Sequence, residues 1–281
     1  MVIFNNQSSQ TAPEEERFFC IFISSLKLQR MIKKTAFITG ATSGIGKATA
    51  QLFAQNNIRL ILCGRRSDRL NQLKEELSKL TDVITLAFDV RNKNEVFKAI
   101  ESLPKEFQQI DILINNAGNA HGLSTIQDGD IDDWDAMIDI NVKGLLYVSK
   151  AILPKMVERN DGFVVNIGSI AGKEVYPNGN VYCASKYAVN ALNKAMRIDL
   201  NKHNIRVSAI HPGAVETEFS EVRFKGDSDK AKNVYKGFKA LQAEDIADII
   251  HFVVTRPYHV NIEDLIVYPT AQASATILNK E

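Results

Sequence analysis

A chain of 281 residues, 45% hydrophobic and 24% charged, has the balance of an ordinary soluble globule with enough apolar mass for a full core. Its formal net charge of +1 argues against a partner such as DNA, an RNA or an acidic membrane surface, and no basic stripe interleaved with aromatics appears. The three cysteines, Cys20, Cys63 and Cys183, are scattered without zinc or redox spacing, which suits a reducing compartment; no metal site and a cytoplasmic address are expected.

The start of the chain stands apart. Residues 18–26 form an apolar run of nine, about half of what a membrane span requires. Glu14, Glu15 and Glu16 precede it where a secretory leader would carry positive charge. Residues 1–30 therefore read as a disordered extension or the product of an upstream start codon. A single domain is expected over 31–281.

From Lys34 onward, short β-branched apolar runs alternate with longer amphipathic stretches. Strands are expected over 35–39, 59–63, 83–88, 110–115, 162–168, 206–210 and 264–268. Their cores are apolar throughout, the pattern of strands covered on both faces. Helical patterns lie between them, for example over 46–55, 67–80 and 92–103. The second has Ser67 as its candidate N-cap and Leu70, Leu73, Leu77 and Leu80 along one side. This alternation predicts an α/β fold, a Rossmann-type doubly wound parallel sheet of about seven strands with helices on both faces. Residues 212–239 read as one long irregular, charge-rich connection after a strand's carboxyl end, and a substrate lid is expected around 214–239.

The first expected strand runs into Thr39-Gly40-Ala41-Thr42-Ser43-Gly44-Ile45-Gly46 and then a helix. Glycines there let the backbone turn sharply and approach a pyrophosphate held at a helix N-terminus. The spacing is not that of the commoner dinucleotide fingerprint, and a glycine cluster alone also suits an ordinary tight turn. The second strand ends in Cys63-Gly64-Arg65-Arg66, with no acid before Asp68. An acid there would bind the ribose 2′-hydroxyl of NAD; arginines suit the 2′-phosphate of NADP. Solvated surface arginines are the plainer alternative. Farther on, Tyr182-x3-Lys186 at helical spacing puts a phenol and an ammonium one turn apart, and the cation is expected to lower the pKa of Tyr182. Such pairs are also common on surfaces. Ser169 follows an expected strand, placed either to bond a substrate oxygen or to cap a turn.

Taken in order, the loop over 39–46, Asp89-Val90, Asn115-Asn116-Ala117-Gly118, Asn141 in Asn141-Val142-Lys143-Gly144, Ser169, Tyr182-x3-Lys186 and Pro212-Gly213 resemble the short-chain dehydrogenase/reductase family. The resemblance covers the chain from Met31 nearly to its end. It implies that Tyr182 is the acid in carbonyl reduction and the base in alcohol oxidation. Lys186 would lower its pKa and hold the nicotinamide ribose, Ser169 would orient the substrate oxygen, and Asn141 would hold a water of a proton relay. Asp89 and Val90 would lie near the adenine, Asn116 near the ribose, and Pro212, Gly213, Val215 and Thr217 along the nicotinamide and its phosphate. A helical dimer interface over 131–158 and 182–201 is implied as well.

A narrower resemblance is carried by Gly64-Arg65-Arg66, Asn178-Gly179-Asn180-Val181-Tyr182, the run from Glu218 to Asp227 and His259-Val260-Asn261-Ile262. These are similar to the NADP-dependent 3-hydroxy acid dehydrogenases, which implies serine, allo-threonine, 3-hydroxyisobutyrate or malonic semialdehyde as substrate and a homotetramer or homodimer. A substrate carboxylate calls for a forked guanidinium. Arg223 is the first candidate and Lys225 the second. A broad-specificity NADPH-dependent ketone or aldehyde reductase is the alternative, and a non-catalytic NADP-binding sensor the third reading.

Overall fold

In the computed structural model, residues 33–281 are described, so the expectations for residues 1–30, and Cys20 with them, lie outside the described residues. Seven strands form: β1 (Thr35–Thr39), β2 (Arg59–Gly64), β3 (Val83–Ala87), β4 (Ile112–Asn115), β5 (Gly162–Ile167), β6 (Ile205–Pro212) and β7 (Asp264–Val267). They pair in parallel throughout, in the order β3-β2-β1-β4-β5-β6-β7. The helices are α1 (Gly44–Gln55), α2 (Ser67–Leu77), α3 (Lys93–Glu101), α4 (Ile131–Ile138), α5 (Leu145–Arg159), α6 (Asn180–Leu200), α7 (Phe219–Arg223), α8 (Ser228–Val234) and α9 (Ala243–Val254). Residues Lys34–Glu281 make one compact unit.

The apolar runs are explained by two cores, one on each side of the sheet. Ile38, Leu60, Leu62 and Ile114 point to one side, where Phe53 of α1, Leu70 and Leu77 of α2 and Ile250 of α9 pack on them. Phe37, Ile61, Leu113 and Val164 point to the other, against Val96 of α3, Val148 and Ile152 of α5 and Val189 of α6. Each such side chain contributes about 1.5–3 kcal/mol on burial. The chain leaves β1 toward β2 and β3 and returns on the far side at β4. Between the carboxyl ends of β1 and β4 the connections diverge, which opens a crevice where ligands bind in such sheets.

Several expected boundaries shift for physical reasons. Ser67 is not a cap: Arg66 occupies that position in extended backbone and Ser67 begins α2. The leucine stripe stops at Leu77, because the helix ends there and the following turn leaves Leu80 exposed. Strand β6 runs two residues past its expected end, to Pro212, whose missing N–H costs nothing at a strand terminus. The connection expected to be irregular over 212–239 instead contains α7 and α8, the latter capped by Asp227, whose carboxylate accepts from the Lys230 N–H. Helices α4 and α5 are joined without a break by a π-helical turn, Asp139–Gly144, with Asn141 buried inside it.

Candidate active site

The glycine turn lies between β1 and α1, at the mouth of that crevice. Gly40 and Gly44 have φ of +65° and +50°, a left-handed backbone that side chains disfavour. Gly46 serves a different end: a Cβ there would lie 2.4 Å from the Gly40 carbonyl, so the glycine lets α1 pack against its own entry turn. Asn116, at the end of β4, holds the turn from the other side. Its amide donates to the Thr39 carbonyl at 2.9 Å, and its backbone N–H donates to the Thr39 hydroxyl at 2.9 Å.

A cavity of about 510 Å³ extends from this turn along the carboxyl edge of the sheet, within the range of small-molecule sites. It is lined by Gly40, Thr42, Ser43, Gly44, Ile45, Arg65, Arg66, Asp89, Val90 and Asn116, by Thr217 beside Gly44, and by Ser169, Tyr182, Lys186, Pro212, Gly213, Val215 and Arg223. Two expected residues are absent from its wall. Gly46 is taken up by the packing just described. Asn141 stands behind the wall: its amide donates to the Asn119 carbonyl at 2.8 Å and the Ser185 hydroxyl at 2.9 Å, and its oxygen accepts from the Asn119 N–H at 2.8 Å. A Cβ on Gly118 would come within 3.0 Å of that oxygen and 3.5 Å of Lys186 Nζ, so this glycine keeps the space between them open.

The phenol and ammonium do share a helix face. Tyr182 and Lys186 lie in the first turns of α6, with only 8% and 6% of their surface exposed. Lys186 Nζ donates to the Ile167 carbonyl at 3.0 Å, and burial pushes its pKa down to about 8. The lowered tyrosine pKa expected from sequence is not found: burial pushes the Tyr182 phenol up, Tyr176 adds to this, and Ser169 and Arg223 counter it only in part. Desolvation of the phenolate outweighs the nearby positive charges. Ser169 combines both roles expected of it. Its hydroxyl accepts from the Ala171 N–H at 3.1 Å as a cap, and it also faces Tyr182 across the cavity. Its carbonyl is 3.2 Å from Nδ1 of His211, a wholly buried imidazole whose pKa burial lowers to about 4.

Of the two cations considered for a carboxylate, only Arg223 lines the cavity. Its guanidinium lies 5.6 Å from the Tyr182 ring centre and 5.5 Å from that of Tyr176, donating to the Tyr176 hydroxyl at 2.9 Å and the Gly122 carbonyl at 3.3 Å. Lys225 turns away and pairs with Asp133 at 3.0 Å and Asp130 at 3.4 Å, a correction to its candidacy. Acids clustered on α4 attract it more strongly than the cavity does.

At the opposite end all three nitrogens of the Arg66 guanidinium have partners. Nε and Nη2 donate to the Thr42 hydroxyl, Nη2 also to the Ser43 hydroxyl, and Nη1 to Glu218 at 2.9 Å. Arg65 stays exposed at the rim. Partial burial tends to raise the carboxyl of Glu218, but the guanidiniums of Arg66 and Arg69 outweigh it and hold it below the usual range. Tyr176 and His211 sit in no motif, and Glu218 and Phe219, though inside the run from Glu218 to Asp227, were given no role from sequence; each owes its place to a contact made across the fold.

Residues 34–228 match the family described as short chain dehydrogenase. An NADP-dependent 3-hydroxy acid dehydrogenase of Salmonella typhi is 45% identical over 239 residues, covering 85% of this chain and 96% of that protein. Sulfoacetaldehyde reductase 2 of Chromohalobacter salexigens is 45% identical over 237 residues, covering 84% and 94%. Among solved structures, the closed form of serine dehydrogenase complexed with NADP+ superposes with a TM-score of 0.83 at 44% identity, covering 86% of this chain and 98% of that one.

Proposed function

Since the chain belongs to the short-chain dehydrogenase family, we propose that it moves a hydride between NADP and a small 3-hydroxy acid, such as serine, allo-threonine or 3-hydroxyisobutyrate, or the corresponding semialdehyde or keto form. The observation that carries this reading is one cavity with a glycine turn and paired arginines at one end and Ser169, Tyr182, Lys186 and Arg223 at the other. Relatives at 45% identity named for the same chemistry support it.

The residues present fit the dinucleotide. Left-handed Gly40 and Gly44 present backbone to a pyrophosphate at the start of α1, and Arg65 and Arg66 stand where a 2′-phosphate would lie, with Asp89 and Val90 farther along the edge. Thr217, Val215, Gly213 and Pro212 would border the nicotinamide half. When bound, the cofactor supplies the ring that accepts or donates hydride.

The chain's own groups handle the proton and the substrate. Tyr182 Oη takes the proton of the substrate hydroxyl in oxidation and returns it in reduction. Ser169 Oγ bonds the same oxygen and fixes its direction. Lys186, one helical turn from Tyr182, would hold the ribose hydroxyls of the bound cofactor and favour the tyrosinate. The space kept open by Gly118 between Lys186 and Asn141 suits a water through which the proton leaves. Arg223 takes the substrate carboxylate, close enough to the Tyr182 ring for a three-carbon acid to touch both.

The equal identity of the Chromohalobacter relative favours a second reading on the same site, reduction of a small anionic aldehyde. A broad carbonyl reductase is the wider form of it. Assays with NADP+ and L-serine, allo-threonine or 3-hydroxyisobutyrate, and with NADPH and malonic semialdehyde or sulfoacetaldehyde, separate these readings when plain secondary alcohols and ketones are run alongside. Turnover of neutral alcohols as efficient as that of the acids would discard the acid reading. A cytoplasmic homotetramer or homodimer is part of the proposal. Ile131 on α4, Leu146 on α5 and Ile198 on α6 are exposed along the helical stretches expected to pair, and light scattering on the purified protein tests it. Among the described residues no helix is long and apolar enough to cross a membrane.

A further inference from the structure

We propose that Glu218 is a lid-borne competitor for Arg66, with which a 2′-phosphate competes and NAD does not, so that occupation of the adenosine end releases the lid at the catalytic end. The proposal rests on the NADP reading given above. Its basis is the wiring of one guanidinium. The inner edge of Arg66 is bound to the hydroxyls of Thr42 and Ser43, at 2.9 Å from Nη2 to each. On Nη1, one of the two N–H groups is taken by Glu218 Oε2 at 2.9 Å. A phosphate dianion finds only one unused N–H on this guanidinium, and strong recognition of an anion uses two parallel bonds, so a full fork competes with the carboxylate of Glu218 for Nη1.

Glu218 is not stranded when Arg66 leaves it. Its other oxygen accepts from Arg69 Nη1 at 2.6 Å, so one carboxylate has two guanidiniums and can give one up. The three side chains are 39–41% exposed, a setting in which ion pairs are screened and exchange at small cost. Sequence separation makes the contact consequential: Arg66 lies at the entry to α2, whereas Glu218 immediately precedes α7. The next residue, Phe219, has its ring centre 5.7 Å from that of Tyr182. Arg223, at the far end of α7, lies over the same tyrosine at 5.6 Å. A single short helix therefore joins the carboxylate at the phosphate end to the side chains around the proton-transferring phenol.

The test is a set of dissociation constants on the full chain, measured by calorimetry for NADP+, NAD+, adenosine 2′,5′-bisphosphate and 5′-AMP. Glu218→Gln is expected to tighten NADP+ and the bisphosphate by about two- to fivefold and to leave NAD+ and AMP unchanged. Arg69→Met leaves Glu218 with Arg66 alone, so it should weaken the two 2′-phosphate ligands, and should do so less in the Glu218→Gln background. Glu218→Gln that leaves NADP+ unchanged, weakens it, or shifts NADP+ and NAD+ equally overturns the proposal. If the unaltered protein binds NAD+ as tightly as NADP+, the underlying cofactor reading fails instead. The lid has its own readout in Trp134, the chain's single tryptophan, which lines a small recess with Arg223. The bisphosphate, unlike AMP, should change its emission, and Glu218→Gln should show that change without ligand; an emission indifferent to the bisphosphate would sever the link to the lid.

Discussion

The floor of the cavity and its rim are held by different forces. Tyr182, Lys186, Asn141 and His211 are buried among packed helices and strand ends, the last three tied to backbone or to another buried polar group. Arg66, Arg69 and Glu218 are held by ion pairs in partial contact with water, and Arg223 by two neutral acceptors and two ring faces. Burial makes the floor rigid and electrically costly; exposure makes the rim adjustable. The floor is thus suited to chemistry common to many substrates, and the rim to choosing which cofactor and acid enter.

The largest break in that contrast should come from the floor. Tyr182→Phe removes one oxygen and little packing, so kcat should fall by about 10²–10⁴-fold while calorimetry finds NADP+ affinity nearly intact. Equal loss of both would mean that Tyr182 is structural. At the rim, Arg223→Ala should lower kcat/KM for 3-hydroxy acids by roughly 10–100-fold, the worth of a hydrogen-bonded charge, with far less change for a neutral secondary alcohol. A uniform loss would make Arg223 a support for Tyr176 and nothing more.

Lys186 sharpens the comparison through stability. Its burial lowers its pKa to about 8, so below that pH the folded chain holds a buried charge that the unfolded chain keeps in water. The penalty is complete below about pH 8 and fades as pH rises toward the ordinary lysine value. Lys186→Met should therefore lose activity yet resist urea better at pH 7, by about 1–3 kcal/mol, with the advantage shrinking at pH 10. A constant difference across that range would refute the assignment. Alcohol oxidation by the unaltered enzyme should rise with pH, because burial raises Tyr182 and the base form becomes available only as protons are removed; a falling profile would oppose Tyr182 as base. The smallest effect belongs to Ser185→Ala, which deprives Asn141 of one acceptor and should cost about 1 kcal/mol in thermal unfolding.

Much of the floor was legible in advance. Strand β1 is found at its expected residues, and Tyr182 and Lys186 share a helix face as their spacing implied, with Ser169 lining the same cavity as the family resemblance implied. Strands buried on both faces leave unbroken apolar runs, and a helix leaves a four-residue spacing, so both survive in a linear reading. Lys225 misled because charge type alone does not reveal which partner wins: Asp133 of α4 and Asp130, the cap of that helix, hold it away from the cavity. The tyrosine pKa misled for a related reason, since spacing places the lysine but says nothing of desolvation.

By itself, then, the order of residues determined the parallel sheet, the glycine turn and the pairing of Tyr182 with Lys186, because each rests on periodicity or on short-range spacing, and the motifs in their order carried the resemblance that added Ser169. Only the folded chain decided that Glu218 would meet Arg66 across 152 positions and Arg69 across 149, that Arg223 would lie over Tyr182, and that His211 would stand behind Ser169. Those pairings depend on where separate elements come to rest, and many charged side chains of the same type compete for each partner. Local pattern does not distinguish among them; packing does.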